Sequence, residues 1–302
     1  MTKKIRTITV NQFDYLVRNV NDEAPELVGH LHQQQEFDGE GRMLKDAKYN
    51  RSEELEEMFE YVFNESGQVI REIFSQEEGE AAETKTFEYN AEGKLTRILK
   101  HYLDGSIDTT AYSYDDSGQL VMIERKNDEN ETEQFDTFEW TDGKLVKEDT
   151  FDGDKNPLIT RSIKYDEKGN IIELLTWTAE EDTEILMVNE YDESGNLSGT
   201  KRYNSEGEMI NAHIIQKDDD GRLISFTENT TGPRVQNQVT YNEKGKPVKE
   251  EEVTEEGDVL TLVERKYDDE DRELETEVFI DGQGHTLSRH YFLKYEYTFF
   301  EE

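Results

Sequence analysis

Apolar and polar residues alternate over short stretches of this chain, and clusters of Asp, Asn and Gly break the alternation at even intervals. Val259, Thr261, Val263 and Tyr267 share one face of such a stretch, and Ile159, Arg161, Ile163 and Tyr165 share one face of another. A period of two predicts β-strands. The breaks have a pattern of their own: aromatic, Asp, two polar residues, Gly, one polar residue, aliphatic, as in Tyr165-Asp166-Glu167-Lys168-Gly169-Asn170-Ile171. The aromatic and the aliphatic stand where two strands enter and leave a turn, so they can pack across a hairpin. The Asp carboxylate can fold onto nearby backbone N–H groups, and Gly takes the positive φ that other residues resist.

This phrase recurs with its glycine at Gly41, Gly67, Gly93, Gly118, Gly143, Gly169, Gly195, Gly221 and Gly245, and in worn form at Asp271. The spacings are 26, 26, 25, 25, 26, 26, 26, 24 and 26 residues, a period that marks a repeat architecture. Asp or Asn stands three residues before the turn position at Asp38, Asn64, Asn90, Asp115, Asp166, Asp192, Asp218, Asn242 and Asp268. The aliphatic column reads Met43, Val69, Leu95, Leu120, Leu145, Ile171, Leu197 and Leu223.

Weaker turn signals divide each repeat into two strands: Glu78-Gly79, Asp104-Gly105, Asp152-Gly153, Glu206-Gly207, Thr231-Gly232-Pro233, Glu256-Gly257 and Asp281-Gly282. A second column of aromatics, Tyr49, Phe151, Trp177, Tyr203 and Phe279, is expected to form a second ladder. Glu53 to Phe63 has helical spacing at Leu55, Met58, Phe59 and Val62, but repeat register favours a strand with Leu55, Phe59, Tyr61 and Phe63 on one face. Residues 1–34 read as an atypical amino-terminal cap, with a turn at Asn21-Asp22 and Pro25, and 35–285 as repeats. Residues 286–302 are rich in aromatics: Tyr291, Tyr295, Tyr297 and Phe299 alternate onto one face, with Phe292 and Phe300 on the other. This tail reads as a cap strand or, more sharply, as a partner-docking edge made of Tyr291, Phe292, Tyr295, Tyr297 and Phe299.

The expected fold is therefore all-β: a single domain over residues 1–302, with about ten hairpin units and about twenty strands in one elongated, coiled antiparallel sheet. A compact barrel or sandwich is the alternative.

The phrases Tyr165-Asp166-x-x-Gly169-Asn170-Ile171 and Tyr191-Asp192-x-x-Gly195-Asn196-Leu197 resemble the YD repeat of the RHS family. The looser alternation of Tyr or Phe with Asp-Gly or Glu-Gly also looks like the short β-hairpin repeats of MORN-type antitoxin proteins. The resemblance covers roughly residues 35–285. It implies a long sheet of successive hairpins that coils, and that in large RHS proteins closes into a shell around a toxin. The Asp-Pro-x-Gly signature and self-cleaving segment that end such a shell are missing from these residues, and no toxin domain is expected. Encapsulation and autoproteolysis are therefore not carried over.

Charge narrows the function. With 34 basic and 72 acidic residues the net charge is -38, which disfavours nucleic-acid phosphates and anionic membranes as partners and favours proteins, cations or neutral glycans. The chain has no cysteine, which excludes disulfides, thiolate metal sites and cysteine nucleophiles. The start, Met1 to Val10, lacks the apolar run of an export signal, so a cytoplasmic location is the expectation.

Candidate chemistry is sparse. His30-x-His32 would project two imidazoles from one strand face but needs a distant third ligand to hold a metal. Asp152-x-Asp154-x-Asn156 opens like a calcium loop, yet Pro157 stands where glycine must turn and Ile163 where a bidentate Glu is needed. Asp128-x-Asn130-x-Thr132 has Glu133 at the glycine position. Paired carboxylates say little in a chain this acidic. Phosphate loops, nucleophile elbows and zincin motifs are absent. The expectation is a non-catalytic protein-binding scaffold without cofactor or metal: an inhibitor, immunity or adaptor protein whose partner has a basic surface. An acidic nucleic-acid mimic and a carbohydrate-binding protein are the alternatives.

Overall fold

The computed structural model describes residues 3–16, 26–77, 79–229, 235–282 and 288–301. The described residues form 22 antiparallel strands, and the chain divides into two compact units, residues 1–82 with 234–302, and residues 83–233.

The first unit holds β1 (Ile5–Leu16), β2 (Glu26–Phe37), β3 (Met43–Tyr49), β4 (Leu55–Phe63), β5 (Val69–Glu77), β18 (Val235–Tyr241), β19 (Pro247–Thr254), β20 (Val259–Tyr267), β21 (Glu273–Ile280) and β22 (Arg289–Phe299). The second holds nearly all of β6 (Glu80–Tyr89), then β7 (Leu95–Tyr102), β8 (Ile107–Tyr114), β9 (Leu120–Lys126), β10 (Thr132–Thr141), β11 (Lys144–Asp152), β12 (Pro157–Tyr165), β13 (Ile171–Thr178), β14 (Thr183–Tyr191), β15 (Leu197–Tyr203), β16 (Met209–Lys217) and β17 (Leu223–Asn229). Within the second unit each strand pairs with the next. In the first, β18 to β22 run in sequence and continue across β1 into β2 to β5.

That β22–β1 junction corrects the open coiled sheet expected from the repeat. The first strand pairs with β2 on one side and with the last strand on the other, and the strands close into a β-barrel. Closure removes the exposed strand edges that a solenoid must cap. β1 and β22 therefore form a seam instead of capping separate ends. Phe13 stacks on Phe292 with ring centroids 4.9 Å apart, and Tyr15 on His290 at 4.3 Å. Gly29 makes room for the first pair, since a Cβ there would lie 2.5 Å from the Phe13 ring.

The repeating turn behaves as its residues dictate. The Gly169 N–H donates to the Asp166 carbonyl at 3.1 Å with Gly169 at φ +93°, and the Asp166 carboxylate accepts from the Asn170 N–H at 2.8 Å. Tyr165 pairs with Ile171 across the hairpin, as expected. Its hydroxyl does something the sequence pattern did not suggest: it donates to the backbone carbonyl of Leu145, the aliphatic position of the preceding repeat, at 2.8 Å. The same bond joins Tyr114 to Leu95, Tyr191 to Ile171, Tyr267 to Pro247 and Tyr297 to Glu273, and the Trp140 indole N–H plays this part toward Leu120. The basic residue after the turn position covers the next repeat's ring: Lys94 on Tyr114, Lys144 on Tyr165, Arg42 on Phe63 and Arg272 on Tyr297. Each of these repeats is thus fastened to its predecessor by a hydrogen bond, a cation over a ring, or both.

Leu55–Phe63 is a strand, as repeat register required. The intervening turns use the same chemistry, with positive φ at Gly105, Gly207 and Gly257. At Asp152-Gly153 the left-handed residue is Lys155, at φ +68°. Turns without glycine, with Glu53, Asn130 and Asp182 in that role, were not legible. Phe151 stacks on Phe135 across β10 and β11, at 4.9 Å, not along a second repeat ladder. The turn expected at residues 21–25 and the one at Thr231-Gly232-Pro233 lie outside the described residues.

A sheet one layer thick leaves most side chains half-buried. Among the described residues the buried hydrophobic ones are Val10, Ala47, Met58, Ala212, Val278 and Phe292. Stability therefore rests on cross-strand pairs and repeat-to-repeat bonds more than on a deep core.

Candidate ligand site on the aromatic face

The repeat tyrosines all project from one face of the sheet, called here the aromatic face. Cross-strand register decides what each charged group on this face meets. Lys48 pairs with Glu57 at 2.5 Å, Arg125 with Asp136 at 2.7 Å, Arg161 with Glu148 at 3.1 Å and Arg265 with Glu250 at 2.8 Å. Asp136, 6 % exposed, also accepts the Thr150 hydroxyl at 2.8 Å. These cations are neutralised inside the fold.

Arg202 on β15 differs. Its cross-strand neighbours are Met187 on β14 and Asn211 on β16, neither of which is acidic. It is half-buried and has no ion pair or hydrogen bond among the described residues. It lines a recess of about 480 Å³ with Arg161, Leu174, Thr176, Ile185 and Met187, and with Thr200 and His213 at one side. His213 lies 3.3 Å from the Thr200 hydroxyl and 3.4 Å from Glu228. Two amide oxygens on the strands flanking β15, Asn189 Oδ1 and Asn211 Oδ1, are buried without a hydrogen-bond partner among the described residues. The recess offers one unused donor group and an apolar wall, with two partnerless acceptors buried beside it.

In two other concavities basic groups are already paired. Around Ser162, Leu175 and Tyr203 on the opposite face, Lys164 is already paired with Glu173 at 2.6 Å. Near Phe37 and Gly41, Arg272 is held by Asp268 and Glu270, and Lys4 donates to the Gly39 carbonyl.

The residues singled out from sequence fall elsewhere. Tyr291, Tyr295, Tyr297 and Phe299 lie on the aromatic face and Phe292 on the opposite one, as the alternation predicted. Both edges of β22 are paired, so this strand is not a free edge for strand addition. Phe292 is 8 % exposed beneath Phe13 and Lys294. Burial, and then the negative charge of Glu273, push the Tyr297 phenol up to about 12.

His30 and His32 are separated by a bulge: Leu31 pairs with Asn11 and Gln33 with Val10, which leaves His32 as the extra residue. Their rings stand edge-on at 6.5 Å. His30 is buried 4.0 Å from Asp14, whose carboxylate is occupied by Gln12 at 3.0 Å and Arg51 at 3.1 Å. Burial, and then His30, lower the His32 pKa. Among the described residues no group of three His, Asp or Glu side chains is disposed to hold a metal.

No protein-family model and no curated protein sequence matches this chain. Among solved structures, a TcdB2-TccC3-Cdc42 crystal structure is similar over 90 % of this chain at 9 % identity and a TM-score of 0.43. This chain spans 19 % of that one. A porin-like protein from Bacteroides uniformis is similar over 99 % of both chains, at 10 % identity and a TM-score of 0.33. At these scores neither likeness carries a shared fold or an activity to this protein. The resemblance to YD repeats rests on the turn phrase and the hairpin it builds.

Proposed function

We propose that this protein is a non-catalytic binding protein whose partner is another protein with a basic surface, held as an inhibitor, immunity or adaptor protein holds its target. One observation carries the reading. At the main turns the first acid or amide is consumed by the backbone, and, except after Asp38 and Asn90, the next residue is an exposed carboxylate. In the second unit these are Asp116, Glu167, Glu193 and Asp219, none with an ion pair or side-chain hydrogen bond among the described residues; Glu65 and Glu243 repeat the arrangement in the first unit. Successive turns at one end of a meander are two strands apart, or about 10 Å; Glu167, Glu193 and Asp219 stand on three successive turns and Asp116 two turns before Glu167, so they form a line of negative charge. Strand surfaces also carry charges at Glu56, Glu60, Glu264 and Lys266, which interrupt the apolar band that a lipid-facing surface needs. Of the carboxy-terminal aromatics, Tyr291, Tyr295 and Phe299 keep partly exposed rings and are proposed as further contacts.

The test is capture of a partner from native lysate by the wild-type chain and by a variant with Asp116, Glu167, Glu193 and Asp219 changed to their amides. The expected partner binds the wild type, loses about tenfold or more in affinity between roughly 50 and 200 mM salt, and binds the variant weakly while circular dichroism stays unchanged. Affinity indifferent to both salt and neutralisation, or turnover in a substrate screen, overturns the reading.

A further inference from the structure

We infer that the recess around Arg202 binds a free α-amino acid with an apolar side chain, a site separate from any surface that meets a macromolecular partner. In a chain with 34 basic and 72 acidic residues, a half-buried guanidinium without a carboxylate neighbour is out of keeping with its surroundings. Arg125, Arg161 and Arg265, on the same face, each have an acid within 3.1 Å. Arg202 faces Met187 and Asn211 instead. A guanidinium fork that lacks a partner matches a carboxylate.

The rest of the recess decides which carboxylate. Leu174, Ile185 and Met187 give it an apolar wall, suited to a hydrocarbon side chain. Arg161 and His213, which line it, are already engaged with Glu148 and Glu228. These carboxylates disfavour a dianion such as phosphate and favour a ligand that brings a positive group as well. Asn211, directly across from Arg202, has a partnerless Oδ1, and its amide nitrogen is tied only by a long 3.5 Å contact to Glu228. Asn189, across from Thr200, has a second partnerless oxygen. A buried acceptor without a donor is costly. An ammonium group supplies that donor once the Asn211 amide turns its oxygen into the recess. Carboxylate to Arg202, ammonium to Asn211 and Glu228, and side chain to the apolar wall together describe one zwitterion. About 480 Å³ lies within the range of small-ligand sites.

Isothermal titration of the full chain with L-leucine and L-phenylalanine tests this, beside 4-methylpentanoate, which lacks the ammonium, isoamylamine, which lacks the carboxylate, and inorganic phosphate. Leucine or phenylalanine is expected to bind, and each truncated analogue to bind about tenfold or more weakly. Arg202→Gln is expected to abolish binding, Asn211→Ala to weaken it about tenfold, and Arg202→Lys, which keeps the charge but loses the fork, to fall between wild type and Arg202→Gln. Thermal melts confirm that the variants fold; should Arg202→Gln fail to, Arg202→Lys and the analogue series decide. Absence of binding by either amino acid at about 10 mM overturns the inference. So does equal binding of 4-methylpentanoate or phosphate, or wild-type binding by folded Arg202 variants.

Discussion

The turn at Asp166–Asn170 and the seam between β22 and β1 hold the same kind of sheet together by opposite means. At the turn everything is local. The carboxylate, the glycine and the tyrosine lie within a few residues of one another, and the tyrosine reaches back only one repeat, to Leu145. At the seam the partners come from the two ends of the chain: Thr7 bonds Thr298 at 2.6 Å, and Phe13 stacks on Phe292. Local bonds recur with the period and cost little loop entropy. The seam forms once, and ordering it bears the closure cost of the whole chain. The array is therefore expected to hold its repeats and its closure with separable free energies.

The largest effect should come from Phe292→Ala, which empties a site only 8 % exposed. A loss of about 3 kcal/mol in chemical denaturation is expected. Hydrogen exchange should quicken in β1, β2 and β22 while the amides around Gly169 stay protected. Uniform acceleration would show that seam and repeats are one cooperative unit.

Gly169→Val strikes the other side of the comparison. A β-branched residue at φ +93° is expected to cost about 1–3 kcal/mol, with exchange quickening in β12 and β13 instead. A variant that melts like wild type would remove the turn from the account of stability.

Tyr165→Phe deletes only the bond to Leu145. About 1 kcal/mol should be lost, since the Lys144 ammonium, 5.1 Å from the ring centroid, keeps its place over it. Phe63 under Arg42 already represents that state naturally.

The smallest effect depends on pH. The side-chain amide and then the backbone N–H of Asn170 hold the Asp166 carboxyl below its ordinary range. Its folded pKa is depressed, so its contribution is present above the unfolded value of 3.8 and is lost as pH falls through the folded one. Wild type should exceed Asp166→Asn in melting temperature near neutral pH, and the gap should narrow below about pH 4. Turns built on Asn64, Asn90, Asn204 or Asn242 make the same backbone bonds without a titrating group and should show no such dependence when changed to Ala. A gap that widens in acid would contradict the sign.

The sequence by itself determined the strands, the main turns and the face on which each repeat aromatic lies, because all three depend on neighbours a few residues away: Asp166 finds the Asn170 N–H, and Gly169 the positive φ, whatever the rest of the chain does. It also placed Tyr291, Tyr295, Tyr297 and Phe299 on one face and Phe292 on the other. Tertiary structure alone decided that the sheet closes, since nothing in the period of β22 states that its free edge will meet β1. It alone isolated Arg202. In sequence this residue is one cation among many, between Lys201 and Tyr203; only the register of β14 and β16 shows that Met187 and Asn211 stand opposite it and that its diagonal neighbours Ile185, Asn189, Met209 and His213 are not acidic either. Local chemistry fixes a strand and its turn, whereas charge pairing and closure depend on which strands come to lie side by side.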